Sequence, residues 1–200
     1  MDSIVIIKYN AGNIESVKNA LDRLGVNAYI TADPKKIRNA AKVIFPGVGE
    51  ASTTMKYLRE HQLDQLIVSL KQPVLGICLG LQLMCSHSEE NDTPCLGIFD
   101  EKVKRFIPAP GEEFTTKVPH MGWNQIENMK GQLFSEEMKS QYVYFVHSYY
   151  ASTGAHTAAT CNYIVPFSAA LQKGNFYATQ FHPEKSGTVG AKILENFLKL

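Results

Sequence analysis

Two hundred residues, 44% of them hydrophobic, suffice for one compact domain with a sizeable core, or at most a tight pair of subdomains. A formal charge of +1 gives no electrostatic reason for a nucleic acid or an anionic membrane surface as partner. No apolar run approaches the roughly 20 residues that cross a bilayer, and the four cysteines have neither metal-ligand spacing nor a C-x-x-C pair, which fits a reducing, cytosolic setting.

The chain opens MDSIVIIKYN, whose acidic second residue and short apolar stretch suit a buried strand over residues 3–8 better than a signal peptide. After a turn at residues 10–13, Ile14, Val17, Ala20, Leu21 and Leu24 recur at helical spacing, with Gly25 just past the helix end. A strand over 27–30 follows, then Asp33-Pro34, which reads as an N-cap with proline in the first helical position. Residues 42–45 form a third strand broken by Pro46-Gly47, residues 55–70 carry helical signals, and 73–77 are strand again. Strands alternating with helices predict βαβ units around a parallel sheet. The second half differs. Residues 142–151, 157–163, 168–172 and 176–181 are strand-like, Gly174-Asn175 fits a two-residue hairpin turn, and 188–200 is an amphipathic helix. The expectation is a single α/β domain over 1–200. Its open, mostly parallel central sheet is flanked by helices and extended by antiparallel or mixed strands in the C-terminal half.

The segment from Pro73 to Gln82 is a strand, then G-x-C-x-G, then a helix, which is a nucleophile elbow with Cys78 as the nucleophile. Side chains at Gly76 and Gly80 would crowd so sharp a turn. The helix beginning after Cys78 directs its amides and positive dipole end at the sulfur and favours the thiolate. The amide of Leu79 is placed to donate to an oxyanion. Cys85, Cys95 and Cys161 lack this context and read as inert cysteines.

A thiol nucleophile needs a base held by a third group. Of six histidines, only His182 lies in a phrase that supplies one, Gln180-Phe-His-Pro-Glu184. Pro183 favours an extended His182, from which residues i and i+2 face the same side, so Glu184 can fix the imidazole. The rival base is His147, which alternates with large apolar residues as a core histidine does. Pro46-Gly47-Val48-Gly49 also leaves a strand at the sheet's carboxyl edge, where open α/β sheets place their sites. Its glycines let the Val48–Gly49 amides approach an oxyanion.

At these residues the chain resembles a family. Gly76–Gln82 (GICLGLQ) with His182-Pro-Glu184 resembles the class I, triad-type glutamine amidotransferases, whose fold is flavodoxin-like. In them a cysteine attacks the side-chain amide of glutamine, a histidine shuttles protons and a glutamate orients the histidine. Further blocks narrow the resemblance to a glutaminase-subunit branch that works with a separate cyclase subunit. They are Asn10-Ala-Gly-Asn13, Pro46-Gly-Val-Gly49, Pro119-His-Met-Gly-Trp-Asn124, Tyr144-Phe-Val-His-Ser-Tyr149 and His182-Pro-Glu-Lys-Ser186. Where the family reads Asp-Tyr-Gly after the first strand, this chain has Lys8-Tyr9-Asn10, so contacts there do not carry over.

The resemblance implies that Gly49, Gln82, Glu90, Ser148 and Tyr149 hold glutamine. It implies that Asn13, Met121, Trp123, Tyr144 and Lys185 face the cyclase, with which the chain forms a heterodimer, and that no cofactor or metal is used. Met-Gly-Trp123 fits an aromatic interface anchor, and the alternative for this sole tryptophan is the core. The acceptor chemistry would sit on the partner's (β/α)₈ barrel, whose phosphorylated ribulosyl aminoimidazole carboxamide ligand switches the glutaminase on. The elements read here leave no phosphate loop or second domain to consume ammonia. Competing readings are the glutaminase subunit of another synthase, such as that of pyridoxal phosphate, a free-standing γ-glutamyl hydrolase, and a binding protein with a vestigial triad.

Overall fold

The computed structural model describes residues 3–10, 12–111 and 116–200. Along the chain come β1 (Ile4–Ile7), α1 (Ile14–Arg23), β2 (Ala28–Thr31), α2 (Pro34–Arg38), β3 (Lys42–Phe45), α3 (Ala51–Glu60), α4 (Leu63–Ser69), β4 (Val74–Ile77) and α5 (Leu79–Met84). Then follow β5 (His87–Ser88), β6 (Thr93–Pro94), β7 (Lys102–Arg105), β8 (His120–Gln125), β9 (Tyr142–His147), β10 (Tyr149–Ala151), β11 (Thr157–Tyr163), β12 (Val165–Lys173), β13 (Phe176–Thr179) and α6 (Gly187–Leu198).

Seven strands form the central sheet in the order β11-β12-β13-β4-β3-β1-β2. The strands from β13 to β2 run parallel, and β12 and β11 fold back antiparallel at one edge. Strand alternation sends side chains to opposite faces. Ile4 and Ile6 join Leu21 of α1 and Ile193 of α6 on one side, while Val5 and Ile7 join Met55 of α3 and Ile67 of α4 on the other. This is the expected α/β sheet with helices on both faces. The local signals hold as well. The Asp33 carboxylate accepts the Lys35 amide at 2.8 Å with Pro34 first in α2, and Gly25 takes a φ of +76° after α1. No helix among the described residues is long and apolar enough to cross a membrane.

Two expectations require correction. The helical stretch over 55–70 is two helices that begin at Ala51, turned by Gln62 in the left-handed region (φ 55°, ψ 22°). The strand over 142–151 breaks at Ser148. Its first part pairs with β8 as a two-stranded ribbon, and its second joins β7, β5 and β6 in a separate sheet. An unpunctuated run such as Tyr142–His147 with Ser-Tyr-Tyr carries no mark of that split, because each half is defined by a partner strand distant in sequence.

Candidate active site

Three strand ends meet at the carboxyl edge of the sheet: β4 delivers Cys78, β3 delivers Pro46–Gly49, and β13 delivers Gln180–Glu184. Cys78 sits at φ 53°, ψ −104°, with its amide bonded to the Thr179 carbonyl at 2.7 Å. A non-glycine residue there carries strain of about 1–3 kcal/mol, held by its surroundings. The elbow glycines are required as expected. A methyl on Gly80 would strike the Phe45 carbonyl oxygen, and one on Gly76 would come within 3.0 Å of the Gly80 backbone. The sulfur is buried, 3.9 Å from the Val146 carbonyl and 3.7 Å from Nε2 of Gln180.

His182 Nδ1 lies 2.7 Å from Glu184 Oε1, with both side chains buried. The pair does not meet along an extended strand, as the sequence suggested. His182 is extended, but Pro183–Lys185 closes a 3₁₀ turn that swings Glu184 back beneath the ring. His182 is anchored through its backbone: its amide donates to Tyr144 O at 2.9 Å, and the Ser186 hydroxyl donates to His182 O at 2.7 Å. Burial opposes the imidazolium, but hydrogen bonding and charge from Cys78 and Glu184 prevail and push His182 up to about 10. Among the described residues no nitrogen or oxygen partners its Nε2, which leaves that side of the ring to the Cys78 sulfur.

His147 cannot serve as the base. Its Nδ1 is 2.8 Å from the Tyr149 carbonyl and its Nε2 is 3.1 Å from His120 Nδ1. Burial, reinforced by His120 and His182, drags it down to about 3, so it stays neutral. His120, itself lowered to about 4 by burial, stacks on Tyr163 with ring centroids 4.0 Å apart.

Beside Cys78 opens a cleft of about 290 Å³ lined by Val48, Gly49, Gln82, Glu90, Ser148 and Tyr149, together with Leu79 and His147. All five residues expected to hold the substrate therefore come together. Glu90 also accepts the Ala51 amide at 2.8 Å, and its pKa is raised, chiefly by burial and then by Glu50. Gln82 donates both amide hydrogens to the framework, to Tyr149 O at 2.8 Å and to Gln180 Oε1 at 3.2 Å, which leaves its carbonyl oxygen for a ligand.

The Leu79 amide departs from expectation. It is not open toward an oxyanion but donates to the Gly47 carbonyl at 3.2 Å. On the same loop the buried Tyr9 hydroxyl donates to Pro46 O and braces that strand end. In the divergent Lys8-Tyr9-Asn10 segment, Tyr9 is thus structural, while Lys8 and Asn10 are exposed.

Of the residues assigned to a partner face, Met121 is 67% and Trp123 55% exposed, which excludes the core reading of the tryptophan. Lys185 is exposed and Tyr144 half-buried. Asn13 behaves differently. Its Nδ2 donates to Glu184 Oε1 at 2.6 Å, so it also holds the carboxylate that faces His182. Sequence reasoning missed this contact, as it missed Tyr9, Ser186, His120 and Gln180. Signals existed: Asn13, His120 and Ser186 stand inside the blocks that carry the resemblance, Tyr9 matches the family's tyrosine, and Gln180 stands two residues before His182 in the same phrase.

The chain is similar to known proteins in sequence and in fold. The model of the family described as Glutamine amidotransferase class-I matches residues 5–200. A protein of Bacteroides fragilis (strain YCH46), named imidazole glycerol phosphate synthase subunit HisH, is 60% identical over 98% of this chain and 99% of its own length. The protein of the same name from Escherichia coli (strain K12) is 45% identical over 99% and 100%. Among solved structures, a glutamine amidotransferase from Thermotoga maritima superposes with a TM-score of 0.62. Its identity is 19%, with 99% of this chain and 83% of that one covered, a likeness of fold.

Proposed function

We propose, from the premise that this chain belongs to the class-I glutamine amidotransferase family, that Cys78, His182 and Glu184 hydrolyse glutamine to glutamate and ammonia. The chain works as the glutaminase subunit of an imidazole glycerol phosphate synthase, in histidine biosynthesis. Such a glutaminase acts in a complex with a partner. Here the partner is the cyclase, bound as a heterodimer in the cytoplasm.

In the first step the proton of the Cys78 thiol passes to His182, whose imidazolium Glu184 and the sulfur both favour. The thiolate attacks the carbon of the glutamine carboxamide, and the C–S bond forms as the carbonyl electrons move to oxygen. On collapse the C–N bond breaks, and His182 Nε2 gives its proton to the leaving nitrogen, which departs as ammonia. Water then attacks the γ-glutamyl thioester while His182 takes its proton. The C–S bond breaks, glutamate leaves and the thiolate returns. General acid–base help of this kind is typically worth about 10²–10⁴-fold.

The oxyanion needs donors from Leu79 and from the Val48–Gly49 amides. Because Leu79 is engaged by the Gly47 carbonyl, that peptide must turn away first. Slow turnover without the partner follows, and the partner's ligand restores it. Ammonia crosses the interface formed by Asn13, Met121, Trp123, Tyr144 and Lys185 without release to bulk water.

The observation that supports this reading most is a strained cysteine at the cleft whose sulfur acts on a buried, carboxylate-held imidazole. Glutamate release by wild type and Cys78→Ala, each with and without the cyclase and its ligand, tests it. We expect partner-dependent release that falls by more than about 10³-fold in the variant. Release unaffected by Cys78→Ala rejects the triad, and full release without a partner favours a free-standing γ-glutamyl hydrolase.

A further inference from the structure

A single backbone carbonyl dictates the polarity of the hydrogen bonds leading to the nucleophile. The Tyr149 oxygen can only accept, so the Gln82 atom 2.8 Å away is its amide nitrogen, a donor. The second hydrogen on that nitrogen points at Gln180, 3.2 Å away, and the facing Gln180 atom must therefore be its carbonyl oxygen. Gln180 is fully buried, and its backbone is fixed by the Gln180 amide bonded to Ala169 O at 2.8 Å. With its oxygen assigned to Gln82, its remaining polar atom, Nε2, faces Cys78 Sγ at 3.7 Å. The same carbonyl sets the other branch. His147 Nδ1–H donates to it, so His147 Nε2 accepts from His120 Nδ1–H.

We infer that Gln180 is a further catalytic residue: its side-chain amide, turned toward the sulfur by the Tyr149–Gln82 relay, donates a hydrogen bond to the Cys78 thiolate. The inference rests on Cys78 acting as the thiolate nucleophile. A protonated sulfur can give its hydrogen to Val146 O at 3.9 Å and gains little from Gln180. A thiolate is acceptor only, and in the buried elbow Gln180 Nε2 faces it at 3.7 Å, with His182 as its proton partner. Donors aimed at a buried anion need no reorganisation when charge develops there again, as the thioester breaks down and sulfur leaves. Gln180 thus serves both ends of the cycle, and its orientation depends on the same Tyr149 carbonyl that borders the substrate cleft.

The test is alkylation of Cys78 by iodoacetamide in the full chain. Mass spectrometry of the Cys78 peptide keeps it distinct from the partly exposed Cys95, and folding is checked by circular dichroism. Gln180→Met keeps the volume and removes the donor, whereas Gln180→Glu replaces it with a carboxylate. We expect the neutral-pH rate to fall about five- to tenfold in Gln180→Met and further in Gln180→Glu, with both recovering at strongly alkaline pH. Rates equal to wild type in either folded variant overturn the inference. Should neither fold, the Gln180 side-chain amide resonances of wild type decide. They shift when Cys78 alone is alkylated, and resonances that stay in place overturn it. Glutamate release by Cys78→Ala separates the two levels: if release persists, the nucleophile reading fails. If release is lost while the Gln180 variants alkylate normally, only the role of Gln180 falls.

Discussion

Burial would by itself strip the proton from His182, and it does so at His147, a few residues away in space and equally enclosed. The difference lies in the partners. His147 meets a carbonyl and another neutral imidazole, whereas His182 meets Glu184 and the Cys78 sulfur. Opposite charge within hydrogen-bond reach outweighs desolvation in one case and is missing in the other. Because His182 is raised from 6.5 to about 10 in the folded chain, the sign of its linkage is fixed. Its contribution to stability is fully present below about pH 6.5 and drains away as pH rises through about 10. Removing the sulfur withdraws one of the two raising influences. The His182 titration, followed by its imidazole NMR signals, should therefore move to lower pH in Cys78→Ser, toward the ordinary histidine range. An unmoved titration would show that Cys78 does not hold the proton on His182.

Elements end where a local rule meets a tertiary demand. Proline after Asp33 and glycine after Leu24 mark helix boundaries that local chemistry decides, and both were legible in sequence. The break between α3 and α4 was not legible, because glutamine is an ordinary helix residue and Gln62 is driven into the left-handed region so that Leu63, Leu66 and Ile67 can pack. That conformation costs a side chain about 1–2 kcal/mol that glycine avoids. Since Gln62 is exposed, Gln62→Gly should stabilise the chain by about 1 kcal/mol, a rise of about 2–4 °C in Tm by calorimetry. A lower Tm would mean that the side chain holds the turn. The β8–β9 ribbon shows the opposite relation, in which an element acquires its role from its neighbours. Tyr144 accepts the His182 amide on its carbonyl and donates its own amide to the Ser186 hydroxyl oxygen, so the strand facing the proposed partner is tied by backbone to His182.

Across the whole molecule the exposed Met121 and Trp123 lie on this ribbon, with Trp123 against Tyr144 at a centroid distance of 6.0 Å. A hot-spot aromatic is worth about 2 kcal/mol or more at an interface, or about 30-fold in Kd. Trp123→Ala should weaken binding of the cyclase by that factor, measured by calorimetric titration, while leaving the Tm of the isolated chain within about 1 °C. Unchanged affinity would move the docking face elsewhere. The parallel sheet, the elbow at Cys78 and the choice of His182 with Glu184 were determined by the sequence alone. Each rests on short-range rules, namely strand and helix periods, the glycines a sharp turn requires, and a proline between His182 and Glu184, although the 3₁₀ turn that joins that pair was not the extended geometry expected. What only the tertiary structure decided are the contacts between segments far apart in the chain. Asn13 reaches Glu184, Tyr9 braces the strand end that occupies the Leu79 amide, Ser148 parts two sheets, and Gln180 is turned toward the sulfur. No local preference specifies these, because each depends on which hydrogen-bond partner the packed core leaves within about 3 Å.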